Sequence, residues 1–136
     1  MKVAETYNIK EDYCSFEVAK LLKEMGVSFE LNPYNHKSYL SNGETNYWED
    51  DEDCVNAPTL YMVMKWLREV HGLSIEVVSV NGSHNGPVFW TGCVILILQQ
   101  KVLFSTGLLS TYEEVCNKAI KYCLENLVKY CLENLV

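Results

Sequence analysis

Three histidines, six cysteines and one run of carboxylates are the residues of this chain that could do chemistry. His36, His71 and His84 keep no zinc-ligand spacing with any cysteine, and no C-x-x-C pair occurs. The cysteines stand at 14, 54, 93, 116, 123 and 131. Cys116 and Cys123 are seven apart on a helical pattern. At about 1.5 Å of rise per residue their Cα atoms lie about 10 Å apart, beyond disulfide reach. Reduced, mostly buried thiols are therefore expected. Cys14 precedes a helix start, where a thiol pKa falls, but a nucleophile also needs a base and no motif supplies one. His71, at a helix C-terminus, reads as a capping or packing residue. His84, in GSHNGP, reads as a turn residue.

The carboxylate run, Glu49 to Asp53, lacks the alternating oxygen ligands, central glycine and distal glutamate of a calcium loop. Adjacent carboxylates repel one another and face solvent. The sharper reading is a negative patch that docks on a basic partner surface and speeds association. Tyr47 and Trp48 precede it, so Tyr47, Trp48, Asp50, Asp51 and Asp53 form one candidate binding set, with Tyr34 and Tyr39 nearby. A second set, Lys65, Trp66 and Arg68, could give a small-molecule pocket its cations and its stacking ring. GSHNGP has no G-K-[ST], and no G-x-S-x-G occurs. No catalytic residue, metal ligand or cofactor is expected.

The elements that must position these residues follow from periodicity and punctuation. SFEVAKLLKEMG (15–26) reads as a helix capped by Ser15, buried along Val18, Leu21, Leu22 and Met25, and stopped by Gly26. VSFEL (27–31) alternates like a short strand. Residues 32–56 are irregular and polar, with at least one strand expected near 38–48. APTLYMVMKWLREVHG (57–72) is a helix with Thr59 as N-cap and Gly72 as its stop. Its apolar stripe is Leu60, Val63, Met64, Leu67, Val70 and His71. Three β segments follow: SIEVVSV (74–80), VFW with CVILILQ (88–90 and 93–99), and KVLFS (101–105). The apolar run CVILIL suggests a central strand covered on both faces. The last helix starts at STYEE, where Ser110 with Glu113 and Thr111 with Glu114 both fit a capping box. This order predicts an α+β fold, three helices packed on an antiparallel sheet of about three to five strands in a single domain.

With 136 residues, 49% of them hydrophobic and 21% charged, the chain can build one core without metals or disulfides. Eighteen acids against eleven bases leave a net charge of −7, which repels a phosphate backbone, so no nucleic acid is expected as partner. No apolar window is long enough to span a bilayer, and the start lacks the layout of a signal peptide. A cytoplasmic protein away from membranes is expected.

The segments YCSFEVAKLLKEMG, APTLYMVMKWLREVHG and STYEEVCNKAIKYCLENL, taken together, resemble a family of short uncharacterised proteins from phages and integrated elements of gut anaerobic bacteria. The resemblance covers the three helices and ends at Val128. It carries no activity and no residue roles. It implies an accessory protein whose targets are host proteins or host signalling molecules. The expected function is thus a non-enzymatic protein-interaction module acting on a host or phage protein. The alternative is a binder of small molecules such as a nucleotide signal, and a small enzyme comes third.

The chain ends in KYCLENLVKYCLENLV, one octad written twice. Cys116, Ala119, Ile120, Cys123, Leu127 and Tyr130 share one helical stripe. An eight-residue step turns the wheel by about 80°, so the second copy cannot repeat the first copy's face. Residues 1–128 are read as the domain and 129–136 as a duplicated helical tail. The chain is then a monomer, or a homo-oligomer through the last helix.

Overall fold

The computed structural model describes residues 4–30, 36–46, 54–82 and 84–133, with side chains through Leu127. Each helix begins where a hydroxyl can take up a free amide. In α1 (Phe16–Glu24) the Ser15 Oγ accepts from the Val18 N–H at 3.2 Å. In α2 (Leu60–His71) the Thr59 Oγ1 accepts from the Met62 N–H at 3.1 Å. In α3 (Tyr112–Glu133), of the two expected caps, Thr111 accepts the Glu114 N–H at 3.1 Å. Left-handed glycines end the first two: Gly26 at φ 74° and Gly72 at φ 66°. After α1 the Val27 N–H returns to the Leu22 carbonyl and the Gly26 N–H to that of Lys23. This double closure turns Val27 onto the core.

Among the described residues six strands form two antiparallel sheets rather than the single sheet expected. The smaller holds β1 (Lys37–Tyr39), β2 (Thr45–Asn46) and β3 (Val55–Ala57) in the order β2-β1-β3. The larger holds β4 (Leu73–Asn81), β5 (Val88–Leu96) and β6 (Lys101–Ser105) in the order β4-β5-β6. The strand expected over 27–31 does not form at residues 27–30; Leu31 lies outside the described residues. The two fragments expected at 88–90 and 93–99 are one strand running through Gly92. It stops at Leu96, because Ile97 to Gln100 close a tight turn, with the Gln100 N–H on the Ile97 carbonyl.

Helix α3 is the centre of the molecule. It touches α1, α2 and all three strands of the larger sheet. Its buried face is Val115, Cys116, Ala119, Ile120, Cys123, Leu124 and Leu127. The sheet comes so close that a Cβ at Gly92 would lie 2.5 Å from Val115 Cγ1. Further along, Tyr122 stacks on Phe104 at 4.2 Å between centroids. The segment before α1 is tied to the one before α2 by two backbone bonds, Cys14 N–H to Pro58 and Leu60 N–H to Asp12. On α1 and α2 the buried stripe is narrower than expected. Met25 and Val70 are exposed, while Val18, Ala19 and Leu22, and Leu60, Val63 and Leu67, are buried.

Candidate interaction surface

Cross-strand partners in an antiparallel sheet point to the same face, and alternate residues to opposite faces. In the larger sheet the inward rows include Leu73 with Leu96, Ile75 with Val94 and Phe104, and Val77 with Gly92. Helices α2 and α3, the ones that touch this sheet, pack on that face. The outward rows are Ser74–Ile95–Val102, Glu76–Cys93–Ser105, Val78–Thr91 and Val80–Phe89. No described helix covers them. Val78 is 56% exposed, Phe89 39% and Val102 59%, while Val80, Cys93 and Ile95 are half-buried. The CVILIL strand is therefore central but covered on one face, which corrects the expectation of cover on both. Its outward residues, Cys93 and Ile95, are apolar, and among the described residues no helix lies above them.

Size decides what this face can do alone. Nine residues at about 3.3 Å per residue give a length of about 30 Å, and three strands at about 4.8 Å give a width of about 14 Å. The product, at most about 400 Å², is about half of what one partner contributes to a standard protein interface. Its apolar residues, Val78, Val80, Phe89, Cys93, Ile95 and Val102, share this one face with Ser74, Glu76, Thr91 and Ser105. Glu76 is the one ionisable carboxylate within it, and burial, reinforced by the Glu76 charge, pushes the neighbouring Cys93 thiol upward.

The residues singled out in the sequence fall elsewhere. Tyr47, Trp48, Asp50, Asp51 and Asp53 lie outside the described residues. Lys65 and Arg68 are exposed on α2. Trp66 is half-buried, with the Phe29 ring edge-on at 5.7 Å and the His71 ring at 4.7 Å. Arg68 lines a different groove, beside Glu11, Asp12, Tyr61 and Tyr112. One helical step of 100° per residue sets Trp66 and Arg68 far apart around α2, so the structure does not bring the three together. His71 packs as read, and burial holds its pKa below the usual histidine value, so the ring favours its neutral form. Cys14, despite its place before α1, is fully buried and its thiol is pushed up to about 12 by desolvation. Burial raises Cys116 to about 11 and Cys123 to about 12 for the same reason. Among the described cysteines no disulfide forms, and no described group of histidine, cysteine and carboxylate side chains is arranged to hold a metal ion.

One cleft of about 290 Å³ opens between the end of α1, residues 27–29 and β3. Lys23, Ser28, Phe29, Cys54 and Asn56 line it. Lys23 Nζ reaches the Cys54 carbonyl at 3.4 Å, and the Asn46 Nδ2 donates to Cys54 Sγ at 2.8 Å. Its volume is at the lower limit for a small-molecule site. No described helix is long and apolar enough to cross a membrane. No protein-family model, no curated protein and no solved structure matches the chain.

Proposed function

We propose that this chain acts as a non-enzymatic interaction module, binding another protein through the outer face of the larger sheet. The supporting observation is that uncovered face, with Val78, Phe89 and Val102 exposed on one side of a sheet whose other side is packed. Burying it in a complex would remove apolar area from water at about 25 cal/mol per Å². The resemblance noted in the sequence makes the partner a host or phage protein.

Affinity capture from a bacterial lysate tests this with two variants side by side. Val78→Lys with Phe89→Lys places charges on the face without disturbing the core, and the captured partner should be lost. Neutralising Asp50, Asp51 and Asp53 tests the acidic run separately. Unchanged capture by both variants would remove both surfaces. A second reading, binding of a small molecule such as a nucleotide signal, has the cleft beside Lys23 as its support. A nucleotide panel should then raise the melting temperature, and a flat response in Lys23→Glu but not in the parent chain would assign the site.

A further inference from the structure

The larger sheet has two edges, and they are not alike. At the β6 edge, side chains of α3 take up backbone carbonyls: Tyr122 Oη donates to Leu103 at 3.3 Å and Lys118 Nζ to Thr106 at 2.8 Å. The backbone geometry of β5 shows what stands at the β4 edge. Trp90 exchanges bonds with Leu109, and the Gly92 carbonyl accepts from Thr106 N–H, so both residues direct their backbone groups away from β4. Neighbouring residues point the other way, as the Ile97 N–H does in reaching the Gly72 carbonyl. The β4 residues bonded to β5 are thus Ser74, Glu76 and Val78, the partners of Ile95, Cys93 and Thr91. Ile75, Val77 and Ser79 direct their N–H and C=O groups outward, and among the described residues none of these groups has a hydrogen-bond partner. β4 is nine residues long with no proline and no bulge, and of the devices that normally blunt an edge it carries one charge, Glu76.

We propose that the β4 edge is the docking track for an extended segment of a partner protein, apolar on both faces except for a Lys or Arg beside Glu76. This rests on the interaction reading above and names its occupant. The added strand bonds to Ile75, Val77 and Ser79 and extends the outer face by one strand. That supplies contact area the face alone lacks for a standard interface. Its inward side chains lie beside Ile75 and Val77, which calls for apolar residues. Its outward side chains lie beside Val78 and Val80, which call for apolar residues, and beside Glu76, which calls for a cation. A second copy of the chain is the poorer occupant. It brings a further net charge of −7, and a register centred on Glu76 sets two carboxylates opposite each other.

The test uses a displayed library of random dodecapeptides selected on the full chain. Enriched peptides should carry a run of apolar residues interrupted by a Lys or Arg, and Glu76→Gln should weaken them. Ser79→Pro removes an outward N–H that has no internal partner, so the fold should persist. Losing one such bond and blocking the track should weaken the enriched peptides at least about tenfold. Peptides N-methylated at alternate positions give the same readout on the unaltered chain. Full affinity in Ser79→Pro and for the N-methylated peptides would overturn the edge inference. If those peptides are still lost in Val78→Lys with Phe89→Lys, the face reading survives alone; if not, both fail. An empty or acidic selection, or a dimer in sedimentation velocity that Ser79→Pro dissociates, would likewise overturn the proposed occupant.

Discussion

Gly92 is the point at which the larger sheet rests on α3, and replacing it with alanine tests the packing argument directly. The new Cβ would lie 2.5 Å from Val115 Cγ1 and 3.0 Å from the Glu76 carbonyl oxygen. Carbon atoms prefer about 3.5–4.0 Å, so helix and strand must part by about 1 Å. Val115 has no room to yield, since it is fully buried alongside Cys116 and Ala119. Overpacking of this kind costs about 1–3 kcal/mol, offset by a few tenths or more because alanine restricts the unfolded chain. The expected net loss is about 1–2 kcal/mol, or about 1 M in urea midpoint. Val115→Ala removes the offending methyl and costs about 2 kcal/mol alone through lost burial. In that background Gly92→Ala should cost well under 1 kcal/mol, leaving a coupling of about 1 kcal/mol or more. Urea unfolding of the four chains measures it. Additive losses would show that the contact does not limit the approach of sheet and helix.

Thr106 is a buried polar residue whose Oγ1 accepts the Gly92 N–H at 3.0 Å. Thr106→Val should cost about 1–3 kcal/mol in urea unfolding by stranding that amide, and Thr106→Ser much less. His71 has a folded pKa depressed below 6.5 by burial, so the unfolded chain takes up its proton first as pH falls. Its contribution is intact above the unfolded value and is lost as pH drops through it toward the folded value. Stability of the parent should fall more steeply than that of His71→Phe between neutral pH and pH 5, and parallel curves would contradict the burial cause. Native alkylation followed by mass spectrometry should label half-exposed Cys54 first and spare Cys14, Cys116 and Cys123 until denaturant is added.

The caps were legible because each is a bargain struck within a few residues. Ser15, Thr59 and Thr111 satisfy amides three positions on, and Gly26 and Gly72 take backbone angles that other residues avoid. The stripe on α3 was legible for the same reason, since its period is local. The strands β4 and β6 announced themselves by alternation and β-branched residues. β3 did not: three residues, Val55 to Ala57, exist as a strand because β1 lies beside them, and nothing in V-N-A signals a partner. The set Lys65, Trp66 and Arg68 was read from residue type alone, and the turn of α2 sends Trp66 toward Phe29 and Arg68 toward Tyr61 and Tyr112.

Local periodicity and capping chemistry set the inventory: three capped helices, their buried faces, and a strand-rich stretch between Leu73 and Ser105. Tertiary packing sets how the strands divide into two sheets and, among the described residues, which face of the larger one is covered and which edge stays open. The reason is physical. Alternation tells that a strand has two faces, but CVILIL is apolar on both, and an apolar face reads the same in sequence whether a helix or nothing lies above it. Val94 and Leu96 face α2 and α3, while Cys93 and Ile95 share their face with Val78 and Val102. Only the approach of α3 to Gly92 distinguishes them.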